Sequence, residues 1–154
     1  MVTITTFILG IISGYILNIT AMKISFKQRT IDYKIKVYDS LIINWIQIRN
    51  HLIHFEQNGQ SSGVNKWSEL DRMYGQSQTY IGEAFLVSDN QQLLMDINDF
   101  NERFIRNNLS NLSESEINTH LDKHKEEGLR LISRMKDDVH QSTRFIPFRV
   151  SVTW

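Results

Sequence analysis

The sequence predicts an all-α protein in which a long N-terminal helix continues into a four-helix bundle. Three observations indicate this fold. Apolar residues recur at helical spacing from Val2 to Phe55. The chain of 154 residues contains one proline and seven glycines, and no glycine lies between Gly14 and Gly59. Three further amphipathic segments follow, and short polar turns separate them.

The first helical segment, residues 2–22, contains no charged side chain and is mostly apolar. As a helix it is roughly 30 Å long, which matches the hydrocarbon core of a bilayer. We therefore predict a transmembrane helix at residues 1–22 and a cytoplasmic helical bundle with an apolar tail at 23–154. A cleaved signal peptide needs a basic stretch before its apolar part, and nothing basic precedes Lys23. A buried core helix of a soluble protein is the other alternative.

A group of basic side chains follows the apolar segment directly, with a charge balance of +4 over residues 23–36 and −4 over the remainder. Anionic lipid headgroups attract such a group, and the positive flank of a span stays in the cytoplasm. We expect a single-pass protein of the inner membrane whose C-terminal part is cytoplasmic. The acidic remainder makes duplex DNA an unexpected partner. The basic residues are Lys23, Lys27, Arg29, Lys34 and Lys36.

One face of the predicted span is small or polar. Gly10 and Gly14 form a GxxxG pair, which lets two helices approach closely in lipid. This face predicts a homo-oligomer. The sequence leaves open whether it lines a pore or belongs to a lone anchor that tolerates small residues. The face consists of Thr6, Gly10, Ser13, Gly14, Leu17 and Asn18.

The cytoplasmic helices are predicted from apolar periodicity and capping residues. After the long helix, which runs to about Phe55, we expect helices over about 67–87, 91–108 and 114–140. Ser-Asp-Asn at 88–90 ends one helix and caps the next. Ser113 and Glu116 have the spacing of a capping box. Gly75 and Gly82 are expected at close helix contacts. The apolar tail, 144–154, suits docking on the bundle, a short strand or the lipid interface.

Few residue patterns suggest a metal or a cofactor, and we expect neither. The chain has no cysteine, so it cannot form a disulfide or a thiolate metal site. His120 and His124 lie four residues apart, a spacing that can hold a metal. Their charged neighbours favour a solvated helix face instead.

Two arginine–histidine patterns could carry chemistry. The first is Arg49, Asn50 and His54 near the end of the long helix, and the second is Arg134 and His140 on the last helix. The pattern resembles the signature of HEPN ribonucleases. The resemblance implies that two motifs meet across a dimer, where the histidine transfers a proton from the RNA 2′-hydroxyl and the arginine binds phosphate. Alternatively, these cations only stabilise the C-terminus of a helix.

The single span, the helical bundle and the divergent HEPN-like motif together resemble the small membrane accessory protein of type VI-B CRISPR systems. This resemblance implies an antiphage pore that depolarises the inner membrane and works with an RNA-guided ribonuclease or with RNA. The sequence thus supports three hypotheses of different classes. They are a membrane-anchored oligomeric pore or effector, a membrane-tethered metal-independent endoribonuclease, and a membrane-anchored adaptor that binds another protein.

Overall fold

The computed structural model describes residues 2–57, 63–103 and 113–143, and all side chains in these ranges except those of 2–12, 54–57, 63–66 and 114. The described residues form four α-helices, and this confirms the all-α prediction. The helices are α1 (Val2–Gln57), α2 (Gly63–Val87), α3 (Gln91–Glu102) and α4 (Glu114–Thr143). The predicted tail lies outside the described residues.

The four helices close a ring around one core. The main contacts join α1 to α2, α2 to α3, α3 to α4, and α4 back to α1. Among the side chains of α1 that the structure describes, the first buried one is Ile31. Burial of apolar area stabilises the ring, at about 25 cal/mol per Å². The largest fully buried side chains are Val37, Tyr38, Leu41, Ile48, Leu52, Leu70, Leu93, Leu94, Ile97, Met135 and Val139.

Both predicted caps are present. Asn90 precedes α3, and its side-chain oxygen accepts a hydrogen bond from the backbone nitrogen of Leu93 at 3.1 Å. At the start of α4, the backbone nitrogen of Ser113 donates to the Glu116 carboxylate at 2.7 Å. These bonds satisfy polar groups that a helix end leaves without an intrahelical partner. α3 ends at Glu102, and residues 104–108 of the predicted third helix lie outside the described residues.

Some apolar side chains of α2 do not reach the core. Phe85 and Leu86 are 43% and 82% exposed, so they face away from the core, whereas the neighbouring Ala84 is buried. Gly75 and Gly82 do not mark close contacts, since no described atom lies within 4 Å of a Cβ placed on either. The glycine at a close contact is Gly128, where an added Cβ would lie 3.3 Å from Cζ of Phe100.

A search of the described residues finds no helix with a stretch that is both long enough and apolar enough to cross a membrane.

Candidate functional site

Residues 13–23 of α1 lie outside the packed core of the bundle. Every side chain from residue 13 to residue 23 is exposed, which covers about three helical turns and therefore all faces of the helix. Apolar side chains dominate this stretch, with Tyr15 68% and Leu17 69% exposed, and Phe26 further along is 74% exposed. An apolar helix surface without a covering element is typical of a site that contacts lipid or another protein. We call residues 13–23 the projecting segment.

The small face predicted from the sequence lies partly on the projecting segment. Ser13, Gly14, Leu17 and Asn18 are all exposed, while the side chains of Thr6 and Gly10 lie outside the described set. At Gly14, a Cβ would meet no described atom within 4 Å. This part of the face is therefore open to a neighbouring helix.

Hydroxyl groups along this part of α1 are satisfied by their own helix. Thr20 Oγ1 donates to the carbonyl oxygen of Ile16 at 2.8 Å, and Thr30 Oγ1 donates to that of Phe26 at 3.1 Å. A hydroxyl bonded to the carbonyl four residues earlier needs no water as a partner. The free energy needed to move these threonines into an apolar environment is therefore small.

The basic residues after this segment divide into two sets. Lys23, Arg29 and Lys36 are exposed and Lys27 is half-buried, so these charges remain at the surface. Lys34 is only 4% exposed and points into the bundle. Its charge is balanced inside the protein, so it does not contribute to a basic surface.

A buried polar cluster surrounds Lys34 where α1 enters the bundle. Oδ2 of Asp138 accepts hydrogen bonds from Lys34 Nζ at 3.0 Å, from the Tyr38 hydroxyl at 2.8 Å and from Ser88 Oγ at 2.9 Å. Lys34 also donates to Ser142 Oγ at 2.9 Å. Burial, together with the Asp138 carboxylate, raises the pKa of Tyr38, so its hydroxyl stays protonated. We call these five residues the Asp138 cluster.

The Asp138 cluster joins α1, the connection between α2 and α3, and α4. It lies beside a cavity of about 640 Å³ that Phe26 and Lys27 also line. The sequence patterns did not predict this cluster. One signal was present, because Lys34 lies three residues after Ile31 and four before Tyr38, on the apolar face of α1.

The first arginine–histidine motif lies at the far end of α1. Arg49 is half-buried and lines a groove between α1 and α4, while Asn50 is exposed. The side chain of His54 lies outside the described set. In this groove Arg49 is accompanied by His124 of α4 rather than by any described residue of the second motif.

The second motif is divided between an ion pair and the surface. Arg134 donates to Asp96 of α3, and this hydrogen bond, together with that from Gln92, holds the pKa of Asp96 below its usual range. His140 is exposed. The Arg134 guanidinium is thus neutralised by a carboxylate, and Arg134 lines a different cavity from Arg49. Within one chain, the two motifs do not share a described cavity.

His120 and His124 do not form the solvated face expected from the sequence. His124 is 8% exposed, and its ring centroid lies 4.0 Å from that of His120 and 5.7 Å from that of Phe100. Burial is the main cause that lowers the pKa of His124 to about 4, and the neighbouring His120 and Arg103 act in the same direction. Both rings are packed into the bundle because α4 turns this side toward α3. No group of three metal-ligating side chains occurs among the described residues.

Comparison of the chain with protein families, with characterised proteins and with solved structures finds no match. The functional argument therefore depends on the residues and geometry described above.

Proposed function

We propose that this protein is anchored in a membrane through residues 2–22 and that its helical bundle lies on the cytoplasmic side. The observation that carries the proposal is the projecting segment, whose apolar side chains are exposed on all faces of α1. Lipid tails cover such a surface without any loss of hydrogen bonds, because a helix satisfies its own backbone. Lys23, Lys27 and Arg29 then lie at the headgroups.

Copies of the chain associate through the small face in this proposal. Gly14 offers open space for a neighbouring backbone, and Asn18 places a polar amide on the same side. In lipid, close packing at small residues and hydrogen bonds between polar side chains drive association of helices. A ring of such helices turns its small, polar face inward and its larger apolar side chains toward lipid.

The resemblance to the type VI-B accessory proteins extends this proposal to a pore that depolarises the inner membrane in antiphage defence. The support for this step is that resemblance together with the small polar face. The ribonuclease alternative gains no support from the arginines, since Arg134 is bonded to Asp96 and Arg49 lies in an apolar groove.

Membrane anchoring is tested by flotation of the full-length protein with vesicles that contain anionic lipid. We expect the wild-type protein to float and to resist extraction at high pH. Ile16→Asp, which changes an exposed side chain on the side of the helix opposite the small face, should reduce the floating fraction, because a carboxylate in a span costs about 3 kcal/mol near its centre and less toward its ends. Leu86→Asp is the matched control, since Leu86 is also exposed but lies on α2. A wild-type protein that remains in the aqueous fraction as a monomer overturns the proposal.

Association and conduction are tested with the protein in nanodiscs and in sealed vesicles. We expect a particle mass of several chains, which Gly14→Leu should reduce and Ile16→Phe, on the opposite side of the helix, should not. Vesicles loaded with a potential-sensitive dye should depolarise with the wild type but not with Gly14→Leu. A monomeric wild type contradicts the association step. Metal-independent RNA cleavage that Arg49→Ala abolishes would replace the pore by the ribonuclease.

A further inference from the structure

The groove that contains Arg49 has the properties of a small-molecule site, independently of the membrane role. It lies between the end of α1 and the middle of α4, and Phe100 of α3 forms its floor. Its volume is about 220 Å³. Ile42, Trp45 and Ile132 form much of the wall, so the surface offered to an occupant is almost entirely apolar. Sites for small ligands in proteins combine such walls with a few polar groups.

The charged side chains that line this groove among the described residues are Arg49 and Lys125, and both are cations. No described carboxylate shares the groove with them. Arg49 Nε is buried and has no hydrogen-bond partner among the described residues. A buried donor without an acceptor costs about 1–3 kcal/mol, and more when it is charged. An anionic acceptor in the groove would remove this cost.

The size and polarity of the groove define the ligand further. Since a methylene group and a water molecule each fill roughly 30 Å³, the groove holds about seven to eight carbon-sized groups. A singly charged carboxylate fits this apolar site better than a phosphate dianion, because the free energy needed to strip water from an anion rises steeply with its charge. A diacyl lipid is too large for this volume.

We propose that the groove between α1 and α4 binds a free monocarboxylate with an aliphatic tail of about seven carbons, of which the inner four or five fill the groove beside the carboxylate and the rest extend past its rim. The carboxylate accepts hydrogen bonds from Arg49, and Lys125 provides a second positive charge at the mouth. The tail lies against Trp45, Phe100 and Ile132. Ile46 and Leu129 are each more than half exposed and form the rim through which the ligand enters.

The test is calorimetric titration of octanoate into full-length protein in nanodiscs, with empty nanodiscs titrated in parallel. We expect one saturable site per chain. Arg49→Met should weaken octanoate binding at least tenfold, and octan-1-ol should bind the wild type at least tenfold more weakly than octanoate. Arg130→Met is the matched control, because Arg130 is an exposed arginine of α4 outside this groove. It should leave binding unchanged.

Two further variants keep the test decisive if Arg49→Met fails to fold. Lys125→Met changes an exposed residue and should weaken octanoate several-fold without affecting octan-1-ol. Ile46→Trp should block the rim and weaken both ligands. The proposal is overturned if octanoate produces no saturable heat, or if octan-1-ol binds as tightly. It is also overturned if octanoate lowers the particle mass, which would show that a second copy of the chain occupies the groove.

Discussion

The ammonium nitrogen of Lys34 lies 3.0 Å from Oδ2 of Asp138, although the two residues are 104 positions apart in the chain. Both side chains are buried, at 5% and 7% exposure. The pair connects the beginning of the bundled part of α1 to the last turns of α4. The pair therefore links α1 to α4 at the end of the bundle that is nearest to the projecting segment.

Removal of one partner of this pair should strongly destabilise the bundle. Asp138→Ala leaves the Lys34 charge buried with Ser142 as its remaining described partner, and it removes an acceptor from Tyr38 and Ser88. We expect the free energy of unfolding to fall by about 3–5 kcal/mol. Urea denaturation followed by circular dichroism measures this loss.

Two controls separate the charge effect from a general change in α4. Asp137→Ala changes the exposed neighbour of Asp138 and should alter stability by less than about 0.5 kcal/mol. The double variant Lys34→Met/Asp138→Leu replaces both charges with apolar groups and should recover much of the loss. If Asp138→Ala and Asp137→Ala are equally mild, the pair does not stabilise the bundle.

The stability of the bundle should fall as the pH decreases from about 6.5 to about 4. The pKa of His124 is lowered to about 4 in the folded protein, whereas an unfolded histidine titrates near 6.5. Between these two pKa values the unfolded state binds more protons than the folded state, so a decrease in pH favours unfolding. Well above pH 6.5 the histidine is neutral in both states, and it then causes no loss of stability. The lowered pKa of His120 acts in the same direction. We expect a loss of roughly 2 kcal/mol, measured by urea denaturation at several pH values.

His124→Gln should flatten this pH dependence, because glutamine does not take up a proton. His140→Gln is the control, since His140 is exposed on the same helix. Carboxylates with lowered pKa values, such as that of Asp96, lose their stabilising effect at lower pH, below the usual aspartate value of about 4. A pH profile that is identical in wild type and His124→Gln contradicts the prediction.

The effect of glycine-to-alanine substitutions on stability should depend on whether other atoms lie close to the added methyl group. Gly75→Ala and Gly82→Ala meet open space among the described atoms, so each should stabilise the protein by up to about 1 kcal/mol through helix propensity. At Gly128 the new methyl group would press on Phe100, which packs against Trp45 with ring centroids 4.6 Å apart. Gly128→Ala should therefore gain less or destabilise. Thermal unfolding of the three variants tests this order.

The N-cap of α3 should contribute a measurable part of the stability. Asn90→Ala removes the acceptor for the backbone nitrogen of Leu93, and we expect a loss of about 1 kcal/mol. Gln91→Ala, which changes an exposed neighbour, is the control and should be close to neutral. Equal midpoints of urea denaturation for both variants would show that the cap is dispensable.

Much of the fold was predictable because helix signals are local. The apolar spacing from Val2 to Phe55 predicted one long helix, and the capping box at Ser113 marked the start of α4. Part of the candidate site could also be predicted, since the absence of charged side chains from residues 2–22 is visible in the sequence alone. The arginine–histidine motifs were recognised only as patterns, and their surroundings depend on packing.

The amino-acid sequence by itself determined the four helices that the structure describes, most of their boundaries and the long apolar start of α1. Each of these follows from interactions between residues three or four positions apart. Only the tertiary structure decided that Lys34 is buried beside Asp138, that His124 packs on Phe100, and that Leu86 faces outward. The burial of a charge depends on a partner, and that partner was supplied by a helix about 100 residues away.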